Sequence, residues 1–155
     1  MNKNTIFIAV RHGDYDEDHN LSPYGKEQME EVAQEIKKIN TNGCRIVLLC
    51  SSAPRARQGG DIIIKTLGIP EELAIFDESL WDDNYHSYNP KKIGELIDEH
   101  FVDDTILLVL SHLDVVPLVT RYVASEKFGA QRQFGTSSYG SGYLIDCRHY
   151  SVFPP

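Results

Sequence analysis

Three short apolar runs, each followed by a polar turn and then a segment of helical periodicity, set the strongest constraint on how this chain folds. They are Ile6 to Val10, Ile46 to Cys50 and Thr105 to Leu110. None alternates polar with apolar residues, so each is predicted to be a strand buried on both faces, as in a parallel sheet covered on both sides. After the first run, Ser22 is a candidate N-cap and Pro23 suits a first helical turn. Met29, Val32, Ala33, Ile36 and Ile39 then share one face before Asn42-Gly43 stops the helix. After the second run, Pro54 starts a helix whose Ile62, Ile63 and Leu67 face the core and which ends at Gly68, with Pro70 beyond. The third run precedes a helix over Leu113 to Ala124, with Pro117 near its first turn. Leu73 to Phe76 reads as a short strand, Pro90 to Phe101 as a helix and Tyr143 to Cys147 as a final strand, while Glu126 to Gly142 is weakly patterned. Strands alternating with helices predict a three-layer α/β/α architecture with a mainly parallel central sheet.

No repeat or long Gly/Ser linker interrupts the 155 residues, so one domain over 1-155 is expected. Folding a chain of this length buries roughly 70% of its surface, enough to need neither disulfides nor a structural metal. Asp plus Glu outnumber Lys plus Arg by 23 to 15, a net charge of -8. Such a surface repels nucleic acid and anionic lipid, so neither is an expected partner. An anionic ligand therefore has to be held by a local cluster of the few cationic groups. Cys44, Cys50 and Cys147 cannot all pair, and reduced thiols in the cytoplasm fit best. The apolar run near the N-terminus is too short for a secretory core or a membrane span.

In parallel sheets, ligands bind beyond the carboxyl ends of the strands, near helix N-termini that favour anions. The first run ends in Arg11-His12-Gly13, the second in Ser51-Ser52-Ala53-Pro54-Arg55 and the third in Ser111-His112. Two arginines and two histidines are thus expected to meet at one sheet edge. Guanidinium forks match phosphoryl oxygens, and a neutral imidazole can attack phosphorus, so the pattern points to phosphoryl chemistry.

Arg-His-Gly after an N-terminal strand resembles the signature of the histidine phosphatase superfamily, which includes the cofactor-dependent phosphoglycerate mutases. Further landmarks follow in order: Leu21-Ser22-Pro23-Tyr24-Gly25-Lys26-Glu27-Gln28, then Ser51 to Arg55-Ala56, then Ser111-His112. The resemblance implies a phosphoglycerate mutase-like fold. It also implies a metal-independent phosphatase in which His12 is the nucleophile and Arg11, Arg55 and His112 bind the phosphoryl group. His12 must then be neutral at its attacking nitrogen, its other nitrogen held by a hydrogen bond, expected to a backbone carbonyl. Leu80-Trp81-Asp82 matches the segment that carries the family's acid, making Asp82 the candidate general acid, with Glu78 and Asp83 as competitors. No cofactor is implied. The substrate class is a phosphorylated small molecule or a phosphoprotein, and oligomeric state is left open.

The chain also departs from that pattern. Gly59-Gly60 replaces the usual Thr-Ala, lowering helix propensity and predicting a bent or late-starting helix. Leu113 stands where a Gly often follows the second histidine, crowding its N–H. Only about thirty residues separate Asp77 from Ser111, too few for the segment that cradles a mutase substrate. The short chain and Ser-His-Leu are reminiscent of the small bacterial phosphohistidine phosphatases. The alternative is a catalytically weak phosphate-binding or phosphoprotein-binding module of the same fold; a phosphosugar mutase is third. Asp14, Asp16 and Asp18 alternate like a calcium loop, but His19 and Gly25 occupy the positions where an EF-hand needs Gly and Glu, so a solvated acidic loop is expected. His19, His86, His100 and His149 lack zinc spacing and read as surface residues. Arg57 reads as solvated and Trp81 as a packing aromatic, while Tyr15 is a candidate substrate contact.

Overall fold

The computed structural model describes residues 1–147 and 149–155. Six strands form one sheet: β1 (Ile6–Arg11), β2 (Arg45–Ser51), β3 (Ala74–Asp77), β4 (Thr105–Ser111), β5 (Gly142–Ile145) and β6 (Tyr150–Phe153). Their spatial order is β3-β2-β4-β1-β5-β6, the first four mutually parallel, β5 antiparallel to β1 and β6 antiparallel to β5. Helices α1 (Pro23–Ile39) and α2 (Pro54–Leu67) cover one face, and α3 (Pro90–His100) and α4 (Val115–Phe128) the other. The expected three-layer α/β/α architecture with a mainly parallel sheet is therefore what the chain adopts.

Period-two alternation along the central strands assigns side chains to the two faces. Phe7, Ala9, Val47, Leu49, Leu107 and Val109 meet α3 and α4, whereas Ile8, Val10, Leu48, Cys50, Leu108 and Leu110 meet α1 and α2. Phe7 to Val10 are all fully buried, which is why the run shows no polar alternation. Each large side chain so buried contributes roughly 1.5–3 kcal/mol. The register also aligns the strand ends: Val10 pairs with Leu110 and Leu110 with Cys50, so Arg11, Ser111 and Ser51 begin the same edge.

Several boundaries differ from expectation. The final strand is Gly142–Ile145 instead of Tyr143 to Cys147, and β6, too short and mixed to show a pattern, adds an unforeseen edge strand. Helix α1 ends earlier, with Asn40 as its cap, and α4 spans Val115–Phe128, stopped by the left-handed Gly129. Helix α2 does not start late: it begins at Pro54 and runs without a break to Leu67. A Cβ on Gly59 would lie 2.7 Å from Met29 Sδ, and one on Gly60 3.0 Å from Cys50 Sγ and from a Phe76 ring carbon. The two glycines, with Ala56 and Ile63, are the buried face of α2, and Ile62 and Leu67 are only partly covered. Close packing against α1 and the sheet thus offsets their poor helix propensity. Cys44, Cys50 and Cys147 are all free. Among the described residues, no helix is long and apolar enough to cross a membrane.

Candidate active site

The loop after β1 is clamped onto the start of α1 by the Leu21-to-Gln28 segment. A Cβ on Gly13 would come within 2.5 Å of Gly25 O, and one on Gly25 would overlap the backbone of Asp14, so both must be glycine for the two segments to touch. Ser22 caps α1 by accepting from Gly25 N–H at 3.0 Å and donates its hydroxyl to Asp14 Oδ2 at 2.6 Å. Gln28 Oε1 accepts from Asp14 N–H at 2.8 Å, and His12 N–H donates to Ser111 O at 2.9 Å. These contacts fix the direction in which His12 leaves the sheet.

His12, Arg55 and His112 are all buried and mutually in reach. His12 Nδ1 lies 2.9 Å from Gly13 O, and since a carbonyl only accepts, the proton sits on Nδ1. Nε2 therefore carries the lone pair, and Arg55 Nε donates to it at 3.2 Å. The backbone-carbonyl partner expected from the sequence is found. Burial pushes the His12 pKa down to about 4; the Gly13 bond opposes this, and Arg55 and Arg11 add to it. The second imidazole stands 5.1 Å from the first, ring to ring. Arg55 Nη2 reaches its Nδ1 at 3.4 Å, while its Nε2 is 2.8 Å from Ser51 Oγ, which also accepts from Ala53 N–H. With Nδ1 facing a guanidinium, Nε2–H donates to Ser51. Burial, then His12 and Arg55, push the His112 pKa down to about 2.

Arg11 is half-buried beside them. Its guanidinium carbon sits 3.9 Å over the Tyr139 ring, Nη1 donates to Ser137 O at 3.3 Å, and its buried Nε has no hydrogen-bond partner among the described residues. These four groups open into a cleft of about 630 Å³, bounded also by Tyr15, Asp18, His19, Pro54, the Trp81–His86 segment and Leu113. Asp82 lines it, and partial burial, then the neighbouring Asp114 and Asp83, raise its pKa. Its competitors fare differently. Glu78 is exposed on a 3-10 turn and borders another hollow. Partial burial of Asp83 is outweighed by donors from Tyr85, His86 and Trp81, which hold its carboxyl well below the usual range.

The structure thus brings together Arg11, His12, Arg55, Asp82 and His112 in one cleft. Tyr15 borders it, with its ring 5.4 Å from that of His12. Trp81 packs against the core, as expected, and His86, at the surface, stacks on it at 3.6 Å so that both line the cleft wall. His19, although exposed, stacks on Tyr15 at its rim. Arg57 lies outside, its guanidinium over Phe76. Asp14 and Asp16 are used in local turns, and among the described residues no cluster of His, Cys, Asp or Glu could hold a metal ion. The sequence reading missed Tyr139, hidden in the weakly patterned stretch, and the pairing of Ser51 with His112, for which nothing local gives a signal.

Comparison with solved structures shows that this three-layer α/β/α fold, of the phosphoglycerate mutase-like kind, is shared with known proteins over nearly the whole chain. The protein histidine phosphatase SixA in complex with tungstate is 20% identical, covering 95% of this chain and 93% of its own, with a TM-score of 0.61. A mycobacterial glucosyl-3-phosphoglycerate phosphatase complexed with VO3 is 11% identical over 96% of both chains, with a TM-score of 0.66. An Agrobacterium tumefaciens protein, provisionally described as a phosphohistidine phosphatase SixA, is 14% identical over 97% of this chain and 98% of its own, at 0.62. No protein-family model and no curated sequence matches the chain.

Proposed function

We propose that the chain works as one histidine phosphatase-type domain over residues 1–155, hydrolysing a phosphomonoester or phosphohistidine in the cytoplasm through a phosphohistidine on His12. The observation that carries this reading is the state of His12: Nδ1–H is tied to Gly13 O, so the lone pair is on Nε2, where it accepts from Arg55. Burial keeps that imidazole neutral, as a nucleophile must be. Support also comes from the shared fold, whose solved examples include a complex with tungstate and one with VO3.

In the first step His12 Nε2 forms a bond to phosphorus as the bond to the leaving atom breaks, and Asp82 delivers a proton to that atom. Arg11 and Arg55 hold the phosphoryl oxygens and stabilise the charge spread over them, and His112 joins them by taking up a proton at Nδ1 as the anion enters, its Nε2–H staying on Ser51. Arg55 must exchange its bond to Nε2 for one to a phosphoryl oxygen as substrate enters. In the second step Asp82, now a carboxylate, takes a proton from water while the water oxygen attacks phosphorus. The N–P bond breaks, inorganic phosphate leaves, and Nε2 recovers its lone pair. The raised pKa of Asp82 suits both roles.

Release of p-nitrophenol from p-nitrophenyl phosphate in the presence of a chelator tests this. His12-dependent turnover is expected, lost in His12→Ala with the fold intact. Vanadate binding without turnover would identify a phosphate-binding module instead.

A further inference from the structure

Among the described residues, Asp83 is the carboxylate of the cleft that pairs with a cation of the anion-binding machinery, and its surroundings fix both its charge and its place. Oδ2 accepts from Trp81 Nε1 at 2.7 Å, and Oδ1 accepts from the N–H groups of Tyr85 and His86, each at 2.8 Å. His86 Nδ1 lies 3.0 Å from Oδ1, and Asp83 N–H donates to His86 O at 2.9 Å. With the Trp81–His86 stack bracing the turn, the carboxylate cannot swing away without dismantling residues 81–86. Oδ2 stands 3.9 Å from Arg55 Nη2; the Arg55 side chain is buried, whereas Asp83 faces the open cleft with a quarter of its side chain accessible. That separation is beyond hydrogen-bond range, so Arg55 does not owe its orientation to Asp83. Its orientation comes from His12, which accepts from Nε at 3.2 Å, and from His112, which accepts from Nη2 at 3.4 Å.

We infer that Asp83 is a specificity-determining residue: a fixed counter-ion of Arg55 that competes with the bound phosphoryl group and penalises the more highly charged ligand. The inference rests on the phosphoryl-binding role proposed above for Arg55. A phosphoryl group seated on Arg55 comes within a few ångströms of a negative charge that can neither move nor accept a proton near neutral pH. Repulsion scales with ligand charge, so a dianion is disfavoured more than a monoanion. Inorganic phosphate, released as the product and largely dianionic above neutral pH, is held less tightly than two arginines alone would hold it. Asp83 thereby favours emptying of the site after turnover.

The test is direct binding of inorganic phosphate by calorimetry, slightly above neutral pH, to the wild-type protein and Asp83→Asn, with p-nitrophenyl phosphate turnover measured in parallel. Asp83→Asn is expected to bind phosphate about tenfold tighter, the size of one moderately screened charge contact. Its kcat is expected to fall more than kcat/KM, because product is retained. Equal or weaker phosphate binding in Asp83→Asn overturns the inference, undetectable binding to both proteins included. Asn cannot reproduce every bond of the carboxylate, so Trp81→Phe serves as a second variant. It deletes the Trp81 bond and keeps the charge, and phosphate binding that tightens as much there assigns the effect to a loosened turn and also overturns the inference. Tighter phosphate binding in Asp83→Asn only, with no turnover by either protein, would uphold the counter-ion and defeat the phosphatase reading alone.

Discussion

Lowering the pH from 7 to 5 is expected to cost this protein stability through its two buried imidazoles, by an amount the site geometry fixes. His12 titrates near 6.5 when unfolded and near 4 when folded, because burial outweighs the bond to Gly13. His112 is pushed lower still, to about 2, by burial and the neighbouring His12 and Arg55. Below pH 6.5 each unfolded imidazole binds a proton that its folded counterpart refuses. The unfolded state therefore holds more protons, and stability falls as pH falls, at about 1.4 kcal/mol per unit for each histidine. The loss begins near pH 6.5 and continues to about pH 4 for His12, further for His112. Between pH 7 and 5 this amounts to about 2 kcal/mol per histidine, or about 4 for the pair. Urea unfolding at both pH values, on the wild type and on His12→Gln/His112→Gln, isolates the effect, since the carboxylates titrate alike in both proteins. The wild type is expected to lose about 4 kcal/mol more than the double variant. Parallel pH dependence would refute the reasoning, because it would mean that both imidazoles charge freely in the folded protein.

Four further outcomes follow from the packing and the site. Gly25→Ala puts a methyl group into the backbone of Asp14 and is expected to cost about 3 kcal/mol by urea unfolding and to displace the His12 loop, seen as lost vanadate binding. Gly59→Ala gains helix propensity yet presses on Met29, and a net loss of about 1 kcal/mol in the same assay is expected. Asp82→Asn is expected to lower kcat/KM for an alkyl phosphate by about 10²–10⁴-fold and far less for p-nitrophenyl phosphate, whose leaving group needs no proton. Glu78→Gln, outside the cleft, is expected to leave both unchanged.

The central sheet was legible because both faces of Phe7 to Val10 are buried, which forces the apolar run into the sequence itself. The site edge was legible for the same reason: equal register brings the residues just after each run to one line. What escaped was non-local. The reason for Gly59-Gly60 lies in Met29, Cys50 and Phe76, far away in sequence, so propensity predicted a defect where packing needs a close approach. Tyr139 reaches Arg11 from a segment without periodicity, and β6 is four residues long. Asp83 and Asp82 are neighbours with opposite pKa shifts, set by donors and burial that no spacing reveals.

The most direct measurement is rapid quenching of the enzyme during turnover of a radiolabelled phosphodonor, followed by mapping of the acid-labile label. Label on His12, on Nε2 and not on the Nδ1 that Gly13 occupies, and none on His12→Ala, is the predicted result. Sustained turnover with His12 unlabelled, or with the label on His112, would contradict it.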